Sequence, residues 1–440
     1  MRFGTDGVRG RVGDELTPEL VLGIGRAAAR VLGRDRFLVA RDPRRSGPLL
    51  EAALAAGLAA EGASVELLGV LPTPALAALS AAEDVPGAVI SASHNTFADN
   101  GVKLFARGGR KLPEEAETRV ESELEHPSAA TAPTGAAVGT VAARLDGGER
   151  YVEHLVATLE GRRLDGLRVV LDCANGAASE VGPEALRRLG ATVDVMAADP
   201  DGTNINAGCG STFPGPLSER VVATGADAGL ALDGDADRVV GVDASGRVVD
   251  GDHLIAVSAV DLAGRGRLAG RTVVVTVMTN LGFRLAMAEQ GIQVVETPVG
   301  DRHVLAALAA GGWSLGGEQS GHVIFPDLAT TGDGLLTGIE VLDAVRRSGR
   351  SLAELASVMR SLPQVLRNVA VGRRDLDVVG ALAEEVAAVE AGLGTGRVLL
   401  RPSGTEPVVR VMVEADTSER AEAAAERLAT AVERLGDGPG

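Results

Sequence analysis

Residues 271–300 read RTVVVTVMTNLGFRLAMAEQGIQVVETPVG. A run of β-branched residues ends in a polar turn, a helical stretch follows, and a glycine introduces a second aliphatic run. Short β-rich runs alternating with longer helical stretches predict parallel strands joined by a crossover helix. The same order occurs twice earlier in the chain. FLVARD (37–42), the stretch Pro48–Ala60 and SVELLGV (64–70) make one copy; RVVLDCANG (168–176), GPEALRRLG (182–190) and TVDVM (192–196) make another. Three copies imply three related α/β domains with mixed or parallel sheets.

Beyond Pro363 the pattern changes. VLRNVAVG (365–372), GRVLLRPSG (396–404) and PVVRVMVEA (407–415) read as strands around a helix at 376–391, and a long helix is expected at 417–435. This is a smaller C-terminal α+β domain. The Ala-, Thr-, Gly- and Pro-rich segment 126–149 reads as the first boundary, and 244–252 as a polar turn after the second unit. The expected domains are 1–145, 146–247, 248–362 and 363–440. A chain of 440 residues is too long for one core, and roughly 150 residues per domain also gives about three or four.

Composition narrows the function. With 43 basic and 60 acidic residues the net charge is −17, which disfavours nucleic acid or an anionic membrane as partner. Aromatics are only 2%, too few for base-stacking platforms. Cys173 and Cys209 are far apart and suggest two reduced thiols rather than a disulfide framework or a metal pair. MRFGTDGVRGR at the N-terminus has no apolar core of signal-peptide length, and no apolar run reaches membrane-spanning length. A cytoplasmic protein is expected. Of the basic residues only Lys103 and Lys111 are lysine.

The clearest chemical signal is ALDGDADRVVGVD (231–243), where Asp233, Asp235 and Asp237 alternate between aliphatic strands. In an extended segment, residues two apart point to one side. Three crowded carboxylates repel unless a cation sits among them, and hard oxygen ligands suit Mg²⁺ or Mn²⁺. An EF-hand loop fails, because Arg238 and Ala244 stand where Gly and Glu are required. A polar hairpin turn is the plain alternative; Arg238 beside the cluster favours a site that binds metal and phosphate together.

AVISASHNTFADNGVKLF (88–105) begins as a strand and breaks at Ser93-His94-Asn95, where α/β proteins bind ligands. The Ser93 hydroxyl is a candidate phosphoryl acceptor, against the plain reading of loop or helix cap. Lys103 stands out in a chain that uses arginine nearly everywhere else, and a lysine can lose its proton when desolvated. In LRPSGTEPVVRVMVE (400–414), Ser403, Gly404 and Thr405 offer backbone N–H groups and hydroxyls, with Arg401 and Arg410 adding charge; this is a sound phosphate cradle. GGEQSGHVIFPD (316–327) offers Glu318 and Ser320 to sugar hydroxyls or an amine, with His322 close by. GIGRAA (23–28) has a dinucleotide-like spacing but falls inside a helix opened by Thr17-Pro18, so it is rejected.

Taken in order, FGTDGVRG (3–10), SASHN with DNGVK (91–103), LDGDADR (232–238), PVGDR (298–302), GGEQSGH (316–322) and RPSGTEPVVRV (401–411) resemble the α-D-phosphohexomutase superfamily, and within it the bacterial subfamily acting on glucosamine phosphate. The resemblance implies a four-domain, heart-shaped fold around a central cleft. It implies a phosphoserine at Ser93 and one Mg²⁺ per chain, held by Asp233, Asp235, Asp237 and a Ser93 phosphate oxygen. Glu318 and Ser320 would read the sugar, and Arg401, Ser403, Gly404, Thr405 and Arg410 would clamp the non-reacting phosphate. Arg9, His94, Lys103, Arg238 and His322 would line the reaction centre. The implied activity is interconversion of glucosamine 6-phosphate and glucosamine 1-phosphate through a bisphosphorylated sugar, in amino-sugar nucleotide and cell-wall synthesis. The partner is then a small hexosamine phosphate, with a homodimer left open. A phosphomannomutase or phosphoglucomutase, and a metal-dependent sugar phosphatase, are the alternatives. Gln319 resembles the glucosamine enzymes, where mannose and glucose enzymes typically carry Met or Glu. Thr96 departs from the usual proline after Asn95, which implies a looser serine loop, and His303 replaces a common aromatic residue.

Overall fold

The computed structural model describes residues 4, 7–128, 133–372, 377–402 and 407–436. These fall into two compact units, one comprising Met1–Met278 with Gly291–Val358, the other Thr279–Gln290 with Met359–Gly440.

The first unit holds three sheets. In the largest, the strands run in the order Val8–Arg11, Asp99–Ala106, Gly87–Ile90, Arg36–Arg41, Ser64–Val70, Val141–Ala143. The last four pair in parallel, while Asp99–Ala106 runs antiparallel to both of its neighbours. The Val141–Ala143 strand lies in the segment read from sequence as pure linker. All three of its residues are exposed, so it carries none of the burial pattern that reveals a strand. The second sheet runs Val248–Val249, Val239–Asp243, Ala228–Leu232, Arg168–Asp172, Thr192–Met196, and the third Gln293–Thr297, Thr272–Thr276, Gly316–Gly317, Val323–Ile324. Each contains the parallel pair predicted from its βαβ signal.

Period-two burial places the helices. Phe37, Val39, Ala88 and Ile90 join one apolar cluster with the helices Pro18–Leu32 and Gly47–Ala60. Leu38, Ala40 and Val89 between them are equally buried but outside that cluster, so they face the other layer. The two helices cross at Gly25 and Gly57. A Cβ on Gly25 would lie 2.4 Å from the Leu54 carbonyl oxygen, and one on Gly57 2.2 Å from that of Leu22. Thr17 caps the first helix by accepting the Leu20 N–H at 3.3 Å, so the Gly-x-Gly-x-x-Ala sequence is helix interior.

The second unit is built on an antiparallel three-stranded sheet, Gln364–Ala370, Val408–Ala415, Gly396–Pro402. The helix expected at 376–391 is found as Val378–Ala381 and Ala383–Leu393, and the long C-terminal helix as Ser418–Gly436. The chain is thus α/β in its first three sheets and α+β at its end. The helix Leu281–Glu289, read as the crossover of the third copy, groups with this unit.

One buried charge gives the fold a pH signature. Burial, aided by Asp343 three residues on, pushes the Glu340 carboxyl up to about 7 against the pull of Arg265, Arg162 and Arg267. Because the folded value lies above the unfolded one, the contribution is complete below about 4.5 and is lost as pH rises through about 7. Between pH 5 and 8 the wild-type chain is therefore expected to lose on the order of 2 kcal/mol relative to Glu340→Gln in urea denaturation. Parallel pH profiles for the two proteins would show that Glu340 titrates normally.

Candidate active site

The aspartate loop Asp233–Arg238 lies between the antiparallel strands Ala228–Leu232 and Val239–Asp243. It is a tight turn and not the extended segment expected from sequence. Ala236 has φ 57°, and its N–H bonds the Asp233 carbonyl at 3.0 Å. The turn, rather than strand alternation, converges the carboxylates. All three are buried, and one oxygen from each lies within 4.8 Å of the others.

Basic side chains surround them, Arg238 from the loop itself and two from the other sheets. Lys103, on the strand Asp99–Ala106, puts Nζ 2.7 Å from Asp235 Oδ2 and 3.3 Å from Asp237 Oδ2. His322 Nδ1 and Arg238 Nε each stand 3.7 Å from Asp237 Oδ1. Although burial opposes its charge, Asp237 is held well below the usual carboxylate range by Lys103, His322 and Arg238. Asp233 goes the other way: burial, then Asp237 and Asp235, push it well above the usual range. The set is short of positive charge. Asp235 Oδ1 is buried and accepts no hydrogen bond among the described residues. Three converging carboxylates, with Asp235 Oδ1 and Asp237 Oδ1 lacking hydrogen bonds among the described residues and Asp233 forced toward protonation, fit a divalent cation.

Ser93 stands three residues beyond the strand Gly87–Ile90, fully buried, with φ 49°. Its Oγ donates to Asp233 Oδ2 at 2.5 Å and lies 3.4 Å from His94 Nδ1. Burial lowers the His94 pKa, and the charges of Arg238 and Arg9 lower it further. Neutral His94 then takes the Arg238 Nη1 hydrogen bond on Nδ1 at 3.1 Å. Arg9 sits on the strand Val8–Arg11, opposite Gly101. For His322, burial disfavours charge, but Asp237 and Asp301, at 3.7 and 3.6 Å, raise its pKa overall. Lys111, the other lysine, pairs with Asp301.

Glu318 and Ser320 belong to a turn in which the Gly321 N–H bonds the Glu318 carbonyl at 3.0 Å. Gly321 has φ 90°, and a Cβ there would lie 2.0 Å from the Val239 carbonyl oxygen, so only glycine lets this turn touch the strand after the aspartate loop. Glu318 Oε1 accepts from the Gly300 N–H at 3.1 Å, and Ser320 is exposed.

In the C-terminal unit Arg401 and Arg410 are direct cross-strand partners. Burial and the Arg410 charge lower the Arg401 pKa. Like charges directly opposite destabilise a strand pair, and an anion between them relieves this. Ser403, Gly404 and Thr405 lie outside the described residues.

Sequence reading missed four contributors. Thr73 donates from Oγ1 to Asp235 Oδ2 at 2.5 Å and from its N–H to the Asp235 carbonyl at 3.0 Å. Asp301 flanks His322. Arg44 and Asn206 bind the serine loop by its carbonyls. The expected looseness at Thr96 meets a loop whose Thr96 carbonyl also accepts from Arg44.

Four family descriptions match in succession: phosphoglucomutase/phosphomannomutase α/β/α domain I over 1–131, domain II over 149–246, domain III over 250–362 and the C-terminal domain over 366–431. A phosphoglucosamine mutase of Thermobifida fusca is 56% identical, covering 98% of this chain and 97% of that protein. The chain belongs to the phosphoglucomutase/phosphomannomutase family. Among solved structures, a family member from Burkholderia thailandensis superposes with a TM-score of 0.81 at 26% identity, covering 99% of this chain and 98% of that one. The N-acetylphosphoglucosamine mutase of Aspergillus fumigatus, solved with GlcNAc-6P and magnesium, shares the fold at 19% identity with a TM-score of 0.71, over 99% and 95% of the two chains. Family membership makes the chain a mutase, an isomerase that moves a phosphoryl group within a sugar.

The charge balance of the aspartate loop is testable. Lys103→Met leaves buried carboxylates uncompensated and is expected to cost about 3 kcal/mol in metal-free urea denaturation. Millimolar Mg²⁺ or Mn²⁺ is expected to restore most of the loss, because it supplies the missing charge. A loss that neither cation repairs would mean that the carboxylates do not form one ion site.

Proposed function

We propose that the chain interconverts glucosamine 6-phosphate and glucosamine 1-phosphate, with Ser93 as the phosphoryl carrier. The observation that carries this reading is the Ser93 hydroxyl 2.5 Å from Asp233, within a converged set of three buried aspartates. A binder needs neither a phosphoryl acceptor nor such a carboxylate set. The substrate is inferred from relatives named for phosphoglucosamine, one of them 56% identical over nearly the whole chain, and from Gln319 in the sugar-reading turn.

In this reading the Ser93 Oγ–P bond breaks as a sugar hydroxyl takes the phosphoryl group. The resulting bisphosphorylated sugar turns round, and Ser93 recovers the other phosphate. A covalent carrier divides one transfer into two. Arg238, next to neutral His94, faces the charge that develops at Ser93. Lys103 holds Asp237 ionised and donates to Asp235 Oδ2 at 2.7 Å. Glu318 and Ser320 contact the sugar, and Arg401 and Arg410, with Ser403, Gly404 and Thr405, take the phosphate that is not reacting. Asp233, Asp235, Asp237 and a phosphoserine oxygen would hold Mg²⁺, which neutralises charge on the transferring group. The setting is cytoplasmic synthesis of amino-sugar nucleotides for the cell wall.

Intact-protein mass, before and after incubation with glucosamine 6-phosphate and Mg²⁺, is the direct test. One phosphate on Ser93, exchangeable with the sugar, is expected, and Ser93→Ala should turn over at least about 10⁴-fold more slowly. Faster isomerisation of glucose or mannose phosphate than of glucosamine phosphate would reassign the substrate. Release of free phosphate without isomerisation would point to a phosphatase.

A further inference from the structure

Ser93 is held in the left-handed region, at φ 49°, without glycine's freedom and without a proline nearby to stiffen the loop. Something outside the loop must impose that conformation. Arg44 is fully buried, and its guanidinium is spent entirely on the backbone of this loop and on one carboxylate. Nη2 donates to the carbonyls of Ser93 and Asn95, both at 2.9 Å. Nη1 donates to those of Thr96 and Asp99, the latter at 3.1 Å. Nε is fixed by Asp42 Oδ2 at 2.8 Å. The same Asp42 oxygen accepts from Ser91 Oγ at 2.7 Å, and Ser91 Oγ in turn accepts the Ser93 N–H at 2.9 Å. The Asp42–Arg44 pair thus pins both sides of the serine residue, its carbonyl directly and its N–H through one hydroxyl.

Asn206 comes from the segment that packs under the aspartate loop. Its Nδ2 donates to the same carbonyls, Ser93 at 2.9 Å and Asn95 at 3.0 Å. A Cβ on Gly234 would lie 2.8 Å from that Nδ2 and 2.7 Å from the Ser93 carbonyl oxygen. The serine loop and the aspartate loop therefore meet at Asn206.

We infer that Arg44 and Asn206 are positioning residues for phosphoryl transfer, which fix the Ser93 Oγ against the aspartate cluster without touching the sugar. The inference rests on Ser93 being the phosphoryl carrier. It explains why a five-donor guanidinium is buried here: lysine cannot reach four carbonyls and a carboxylate at fixed angles. A displacement of about 1 Å at a reacting atom costs about 10²-fold in rate.

The test is transfer of label from a ³²P-labelled hexosamine 1,6-bisphosphate to Ser93 in wild-type, Arg44→Lys and Asn206→Ala proteins. Binding of glucosamine 6-phosphate and thermal melting are measured alongside. Labelling is expected to slow about 100-fold in Arg44→Lys and about 10-fold in Asn206→Ala, with sugar-phosphate affinity changed less than about 2-fold. A merely structural role would instead lower affinity and rate together. Wild-type labelling rates in folded Asn206→Ala overturn the inference even if Arg44→Lys fails to fold. No label on the wild-type chain removes the phosphoserine reading, and this inference with it; label on wild type at rates the variants match removes this inference alone.

Discussion

Everything around the candidate site depends on putting three carboxylates side by side in a buried turn. Unscreened, such a set is strongly self-repelling, and burial removes the water that would otherwise solvate it. The fold answers with basic groups brought from elsewhere: the fixed cation Lys103 from the first sheet, and His322, whose pKa is raised, from beside the third. The electrostatic requirement of one loop thereby ties together elements from three sheets. The answer is incomplete, because Asp233 is still pushed toward protonation and Asp235 keeps an unsatisfied oxygen. That residual deficit is what suits the turn to a cation rather than to an ion-pair network alone.

The serine loop is constrained by a second, chemically different device. Here the groups that need partners are backbone carbonyls, and Arg44 and Asn206 supply the donors. The loop is polar, yet its anchor residues are buried, so its geometry is set by hydrogen bonds whose loss would leave dehydrated carbonyls unpaired. Charge compensation holds the aspartate turn, and donor satisfaction holds the Ser93 loop. The two meet where Asn206 passes beneath Gly234.

The C-terminal unit follows the same logic in reverse. Arg401 and Arg410 face each other across an antiparallel pair, two like charges set directly opposite as the aspartate loop sets three. In a chain of net charge −17, two opposed arginines on one strand pair stand out, and their mutual repulsion is the ground for proposing an anion there.

Much of this was legible in the sequence. The βαβ copies announced themselves through period and turn chemistry, because local patterns of burial are written directly into residue order. Asp233, Asp235, Asp237 and Ser93 were readable because their chemistry is crowded into a few consecutive positions. Lys103 was visible as one of only two lysines. Val141–Ala143 was not, since an exposed edge strand has no apolar face to betray it. Arg44, Thr73, Asn206 and Asp301 were not either. Each acts on a residue between 21 and 162 positions away, and nothing in an Arg-Asp-Pro-Arg or Thr-Asn-Ile-Asn stretch names its partner. Sequence also misjudged how the aspartates converge, through a turn at Ala236 rather than along a strand. Sequence alone singled out the groups proposed to carry the chemistry, since side-chain type and local spacing suffice for that. Only the tertiary structure decided how those groups are held, because burial, countercharge and hydrogen-bond partners come from distant segments that meet only when the sheets pack.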